Sequence, residues 1–235
     1  MEILVCIKEG HTPGEMAHLD ALALETALVL KSSAPSSCSV HIRAMGLGSG
    51  AEPLLRRALG MGVDEVLWLT ASHTGLGSLD VARILAAEAG TAHLILTGLQ
   101  SETGMSGSVG PFMAGLLNYP SLMGMVSLQW EGRGRDLVGE REMEGGIRER
   151  FRISTPCVMG IQSGRLTPRY PSLGRMLAAR KQSIPRVESP LSPSPRVMGG
   201  EKQAPDPVRG GENWQGAVET TAGKLNQWLK ERQYL

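Results

Sequence analysis

The chain has 235 residues, 41% hydrophobic and 20% charged, enough for one large domain or a domain with an appendage, and for a core that needs no staples. Its 24 basic and 23 acidic residues nearly cancel, unlike a general nucleic-acid or membrane-surface binder, and no apolar run reaches the ~18 residues that span a bilayer. Cys6, Cys38 and Cys157 are scattered and form no CxxC, and MEILVCIKEG reads as neither a signal nor a transit peptide, so a reduced, cytoplasmic setting is the default and no metal site is expected.

ILVCI at 3–7 is apolar throughout, the pattern of a strand buried on both faces. Residues 17–31 follow a helical period, with Leu19, Leu22, Ala23, Ala27 and Leu30 on one face. VHIRAM (40–45) predicts a second strand, and a helix follows from about Ala51 to Leu59. EVLWLT (65–70) predicts a third strand, 79–90 a helix, and HLILTG (93–98) a fourth strand. This alternation predicts a parallel sheet covered by helices. A Gly/Ser loop then runs into a helix over 101–117. MVSLQW (125–130), 136–143 and 146–153 read as antiparallel strands with one wet face, and CVMGI (157–161) as another buried strand. Six prolines between 185 and 207, with Gly199, Gly200, Gly210 and Gly211, predict an extended arm over 185–213. Trp214, Val218, Ala222, Leu225, Trp228 and Leu229 then recur at helical spacing, so residues 214–235 form an amphipathic helix that must dock on something.

The strongest chemical signal is GMSGSVG, Gly104 to Gly110, placed after a strand and before a helix. Such a loop presents backbone N–H groups at a helix N-terminus, where Ser106 and Ser108 can donate to phosphate oxygens; the alternative is a flexible loop with a helix cap. GLGSG at 46–50 has neither GxGxxG spacing nor an acid closing the next strand, which argues against a Rossmann dinucleotide site and leaves open a loop bordering a nucleotide. The five histidines form no HExxH, and no serine has a GxSxG setting. With no complete catalytic constellation, the chain reads as a binding subunit rather than an enzyme.

Six co-linear stretches over about residues 1–184 resemble the beta subunit of electron-transfer flavoproteins. They are EILVCIK, LALETALVLK, EPLLRRALGMGVDEVLWL (with Ala58, Met61, Gly62 and Asp64), LILTGLQSETGMSGSVGPFMAGLLNYP, EREMEGG and TPRYPSLGRMLAARKQSI. The resemblance implies a flavodoxin-like or adenine-nucleotide-hydrolase-like α/β domain over 1–184, with helices on both faces of a parallel sheet, an antiparallel hairpin region and a C-terminal arm. It implies a flavin electron carrier, a heterodimer with an alpha subunit that holds FAD, and a structural AMP in this subunit, a second FAD being possible instead. By position the nucleotide would be lined by Cys6, by Ala17, His18, Leu19 and Asp20, by Met45, and by Thr103, Gly104, Met105, Ser106, Gly107, Ser108, Val109, Gly110, Pro111, Phe112, Met113 and Ala114. Residues 161–183 would be a loop anchoring partner dehydrogenases, with Leu173 as its apolar tip and Arg169, Tyr170, Met176, Arg180 and Lys181 around it. The arm and last helix would reach the alpha subunit. Ala17-His18-Leu19-Asp20 stands where the family has Asn-Pro-x-Asp, and Thr103, Met105 and Ser108 stand where it has acids and a Gln. The alternative is a nucleotide-binding regulatory relative that has left electron transfer.

Overall fold

The structure, a computed structural model, describes residues 1–72, 75–131, 136–162, 166–191, 193–194 and 213–234. It divides into two units, Met1–Pro195 and Arg196–Leu235. Of the predicted Pro/Gly arm, 192 and 195–212 lie outside the described residues, as does the stretch 163–165 of the predicted anchoring loop.

The first unit is built on a nine-stranded sheet. In chain order its elements are β1 (Glu2–Ile7), α1 (His18–Ser32), β2 (His41–Leu47), α2 (Ala51–Met61), β3 (Glu65–Ala71), α3 (Ser78–Ala87), β4 (Leu94–Gly98) and α4 (Val109–Leu117). They continue with β5 (Ser121–Trp130), β6 (Leu137–Glu142), β7 (Arg148–Ile153), β8 (Cys157–Ile161), α5 (Leu173–Lys181) and β9 (Arg186–Ser189). The spatial order is β7-β6-β5-β8-β4-β1-β2-β3-β9. Strands β1–β4, β8 and β9 pair in parallel, while β5-β6-β7 is an antiparallel meander joined to the rest by the parallel β5–β8 pair.

Period-two alternation in the buried strands divides the core between the two faces of the sheet. Ile3, Val5, Ile7, Ile42 and Ala44 pack with Leu24, Leu28, Leu54 and Leu55 of α1 and α2. Leu4, Cys6, Met45, Leu67 and Ile95 pack with Ala82, Ile84, Leu85 and Met113 of α3 and α4. With so few aromatics, aliphatic side chains fill both layers, and all three cysteines are buried and unpaired.

Two elements differ from the sequence reading. The first residues of the expected arm form β9, which extends the sheet beyond residue 184. This edge strand is fastened by the Trp68 N–H, which donates to Pro185 O at 2.9 Å, and by Arg186, whose guanidinium lies 4.9 Å from the Trp68 ring centre. The expected anchoring loop contains a helix, α5, and Leu173 is its first residue. Ser172 caps that helix by accepting from the Arg175 N–H at 3.4 Å. Arg56 of α2 closes the other end, donating to the carbonyls of Ala179, Arg180 and Gln182 at 3.0, 3.2 and 3.1 Å.

In the second unit, α6 (Val218–Glu231) has Val218 and Leu225 exposed. Trp228 stacks on Tyr234 with ring centres 6.1 Å apart, and Arg232 lies 4.2 Å over the Trp228 ring.

Candidate functional site

Chain order reverses between β1 and β4, which lie side by side although the chain visits β2 and β3 between them. In open α/β sheets ligands bind outside the carboxyl ends of the strands at such a switch point. A cleft of about 380 Å³ opens there.

Asp20, in the first turn of α1, ties the two strands together. Its Oδ2 accepts the Lys8 N–H at 2.9 Å and its Oδ1 accepts the Gly98 N–H at 3.0 Å. The side chain is buried, and burial outweighs the two N–H bonds and the nearby Lys8 charge, so its pKa is pushed up to about 7. Because the native state holds this proton more tightly than the unfolded chain, Asp20 makes stability fall as pH rises from about 4 to about 7, by up to ~1.4 kcal/mol per pH unit, and adds no slope above that. The neutral Asp20→Asn variant should lack this slope. Urea titrations of both proteins across that range, compared by difference, check it; parallel pH profiles would refute it.

The loop from Leu99 to Ser108 forms the mouth. It folds on itself through Ser101 N–H to Ser106 O at 3.0 Å and Met105 N–H to Ser101 O at 2.8 Å. Glu102 fixes it to the start of α1, accepting the His18 N–H at 2.6 Å and the His11 N–H at 3.0 Å. Those two bonds hold its carboxyl below the usual glutamate range. Lys8 reaches across from the end of β1 and donates to Thr103 Oγ1 at 2.9 Å and Ser101 Oγ at 3.3 Å.

Beyond the mouth the loop runs into α4. Ser108 is the N-cap residue, yet its hydroxyl makes no capping bond. It lies 2.7 Å from Ser106 Oγ, which lies 3.0 Å from Ser78 Oγ on α3. Among the described residues, no hydrogen bond engages the backbone N–H groups of Gly107, Ser108, Val109 or Gly110. Unpaired amides at a helix start, a row of hydroxyls and one ammonium group suit an anion. Leu47, Leu76, Val81 and Leu85 supply an apolar wall suited to a flat ring system.

Of the sequence-predicted nucleotide residues, Cys6, Asp20, Gly104, Ser106, Gly107, Val109 and Gly110 line this cleft. Thr103 lines a smaller adjoining pocket with Lys8, Glu9 and Gly50. Ala17, Met45, Met113 and Ala114 are buried core residues instead, Met45, Met113 and Ala114 packing in the cluster with α3 and α4. Met105 and Phe112 face solvent at 66% and 40% exposure. His18, Leu19, Ser108 and Pro111 do not line the cleft, His18 and Ser108 serving it through backbone and hydroxyl contacts. The sequence reading missed Lys8, Thr97, Gly98, Gln100 and Ser101, and the α3 wall of Leu76, Ser78, Val81 and Leu85. Lys8 and Thr97–Gly98 carried a signal, since both stand at the carboxyl end of a buried strand.

The predicted partner residues are divided between internal and external duties. Arg169 is committed internally: its guanidinium pairs with buried Glu25 at 2.7 Å and its own N–H donates to the same carboxylate at 3.0 Å. Met176 packs over Gly60 of α2. Tyr170 and Leu173 are 86% and 76% exposed, and Arg180 and Lys181 also face solvent. Among the described residues no group of acids, histidines and cysteines is placed to hold a metal ion, and no helix is long and apolar enough to cross a membrane.

Residues 5–192 match the family described as "Electron transfer flavoprotein domain". The "Electron transfer flavoprotein subunit beta" of Methylophilus methylotrophus is 30% identical over 172 residues, which is 72% of this chain and 64% of that protein. The Bacillus subtilis (strain 168) protein of the same name is 30% identical over 177 residues, 72% of this chain and 65% of its own length. The matches thus span a little under two thirds of these relatives. The "Caffeyl-CoA reductase-Etf complex subunit CarD" of Acetobacterium woodii is 29% identical over 248 residues, covering 96% of this chain and 89% of that protein.

Proposed function

The chain belongs to the electron transfer flavoprotein family, with the beta subunits as its relatives, and from that membership we propose that it is the nucleotide-holding beta subunit of a flavin electron carrier. The observation that carries this reading is the cleft at the β1–β4 switch point, where an anion-suited polar end meets an apolar wall. An adenine nucleotide fits it, with its phosphate against Gly107–Gly110 and its base along Leu76, Val81 and Leu85; AMP is favoured over the adenylate half of FAD. AMP would act there as a structural ligand. The redox FAD is assigned to an alpha subunit, which this chain would engage through its C-terminal helix, whose Val218 and Leu225 are exposed.

Dehydrogenase docking is assigned to the face of α5. Leu173 and Leu177 stand exposed there beside Tyr170, whose ring carries Arg57 at 5.5 Å from its centre. An apolar side chain at an interface centre can carry ~2 kcal/mol or more, so Leu173→Ala should slow electron transfer from the dehydrogenase tenfold or more. Leu173 is too exposed to support the core, so flavin content and Tm should stay unchanged.

The reading is tested by purifying the chain with and without an alpha subunit and titrating AMP, ADP and FAD calorimetrically into nucleotide-stripped protein. A yellow heterodimer that takes up AMP is the expected result. A chain that pairs with no alpha subunit and still binds AMP would favour the regulatory alternative, and one that binds none of the three nucleotides would refute the site.

A further inference from the structure

Asp80 of α3 belongs neither to the cleft lining nor to any contact assigned above, yet it is only 1% exposed. Its two carboxylate oxygens face in different directions. Oδ2 accepts the Gly77 N–H at 3.1 Å, and Gly77 lies between Leu76 and Ser78, both in the cleft wall. Oδ1 accepts the Ser194 N–H at 2.9 Å, from the stretch that follows β9. Arg83, three residues further along α3, donates to Ser194 Oγ at 2.6 Å. Val187 of β9 and Leu191, between β9 and Ser194, pack on the core cluster that also holds Leu85 and Cys6 of the cleft.

We propose that Asp80 is a positioning residue that couples occupancy of the cleft to the anchoring of residues 186–191 and 193–194. The inference rests on the nucleotide reading above. A ligand seated against Leu76 and Ser78 orders the first turn of α3, which holds Gly77 N–H and the Asp80 carboxylate in register. An acceptor already fixed costs these residues less entropy to dock upon. Strand β9, which among the described residues pairs only with β3, is where such a change in anchoring is felt. Linkage makes the effect reciprocal, so a docked segment must tighten the ligand by the same factor.

Hydrogen exchange on the full, nucleotide-stripped chain tests this, read on peptides covering 186–194 with and without saturating AMP. AMP should slow exchange there fivefold or more, the low end of ordinary coupling. Ser194→Pro removes the N–H that Asp80 accepts and the hydroxyl bound by Arg83, while leaving α3 and the cleft intact. This variant should still bind AMP, lose the slowing over 186–194, and show an AMP Kd weaker by the factor that the slowing measured in the wild type. Asp80→Asn, which cannot accept at both positions, should behave alike. AMP binding to the wild type without slowing, or slowing fully retained in Ser194→Pro, overturns the coupling alone. A wild type that binds no AMP overturns the nucleotide reading and the coupling with it.

Discussion

Gly107→Val should abolish AMP binding, weakening it at least 100-fold, about 3 kcal/mol. A Cβ at this position would stand 2.7 Å from the backbone carbonyl oxygen of Leu99, closer than real Cβ atoms approach any neighbour. The Leu99 N–H is bonded to Ile161 O at 2.8 Å, so Leu99 is tied to the sheet at the end of β4 and the loop yields more readily than this residue. The loop must therefore lift, carrying the Gly107–Gly110 amides away from the cleft. The sequence alone suggests another cause, a side chain that blocks the phosphate itself. The two causes separate at Gly104, where a Cβ would meet nothing nearer than Ser101 Oγ at 3.9 Å. Gly104→Ala should keep AMP affinity within about threefold of the wild type, well below the ~1.4 kcal/mol of a tenfold change. Calorimetric titration of both variants checks the pair of expectations. Unaltered binding in Gly107→Val would refute this placement of the phosphate.

Arg169→Ala should cost about 3 kcal/mol of stability, seen as a Tm lower by roughly 6–12 °C. The remaining Glu25 carboxylate is 5% exposed and would keep only the N–H of residue 169. The figure sits at the low end for a buried pair because Arg169 itself is partly open to water, at 39% side-chain exposure. That asymmetry gives a second expectation. Glu25→Leu should cost less than Arg169→Ala, since the freed guanidinium can turn to solvent whereas the freed carboxylate cannot. Thermal unfolding of the two variants, read as a ranking, decides it. Equal losses would mean that the pair acts only through packing.

The sequence revealed what depends on apolar continuity. β1, β2, β3, β4 and β8 are nearly all-apolar runs, and α1 carries a wide apolar stripe, so their burial on both sheet faces could be read directly. Helix α5 could not be read this way, because Ala179 is its only buried residue and three of its nine positions are basic. What holds it lies elsewhere: the Ser172 cap, the Arg56 bonds to its last carbonyls, and Gly60, which gives Met176 room. Strand β9 was hidden for a related reason, since RVES among prolines gains its partner only when the chain returns to β3. The cleft was half legible. The glycine loop announces itself locally, but Ser78 and Leu85 lie 26 and 19 residues before Gly104 and reach the loop only through the packing of α3 against α4.

The buried, unpaired state of the three cysteines gives this molecule a built-in reporter of its own opening. A thiol reacts as the thiolate, and burial pushes the pKa of both Cys6 and Cys157 up to about 12. A maleimide or disulfide reagent mixed with the intact protein should therefore label at the rate at which the chain exposes each cysteine, not at the reagent's own rate. Cys6 lines the cleft beside Asp20 and Ile7, whereas Cys157 starts β8 and does not line it. Alkylation mapped by mass at these two positions would distinguish a local breathing of the cleft from a wider unfolding of the sheet, with no added probe.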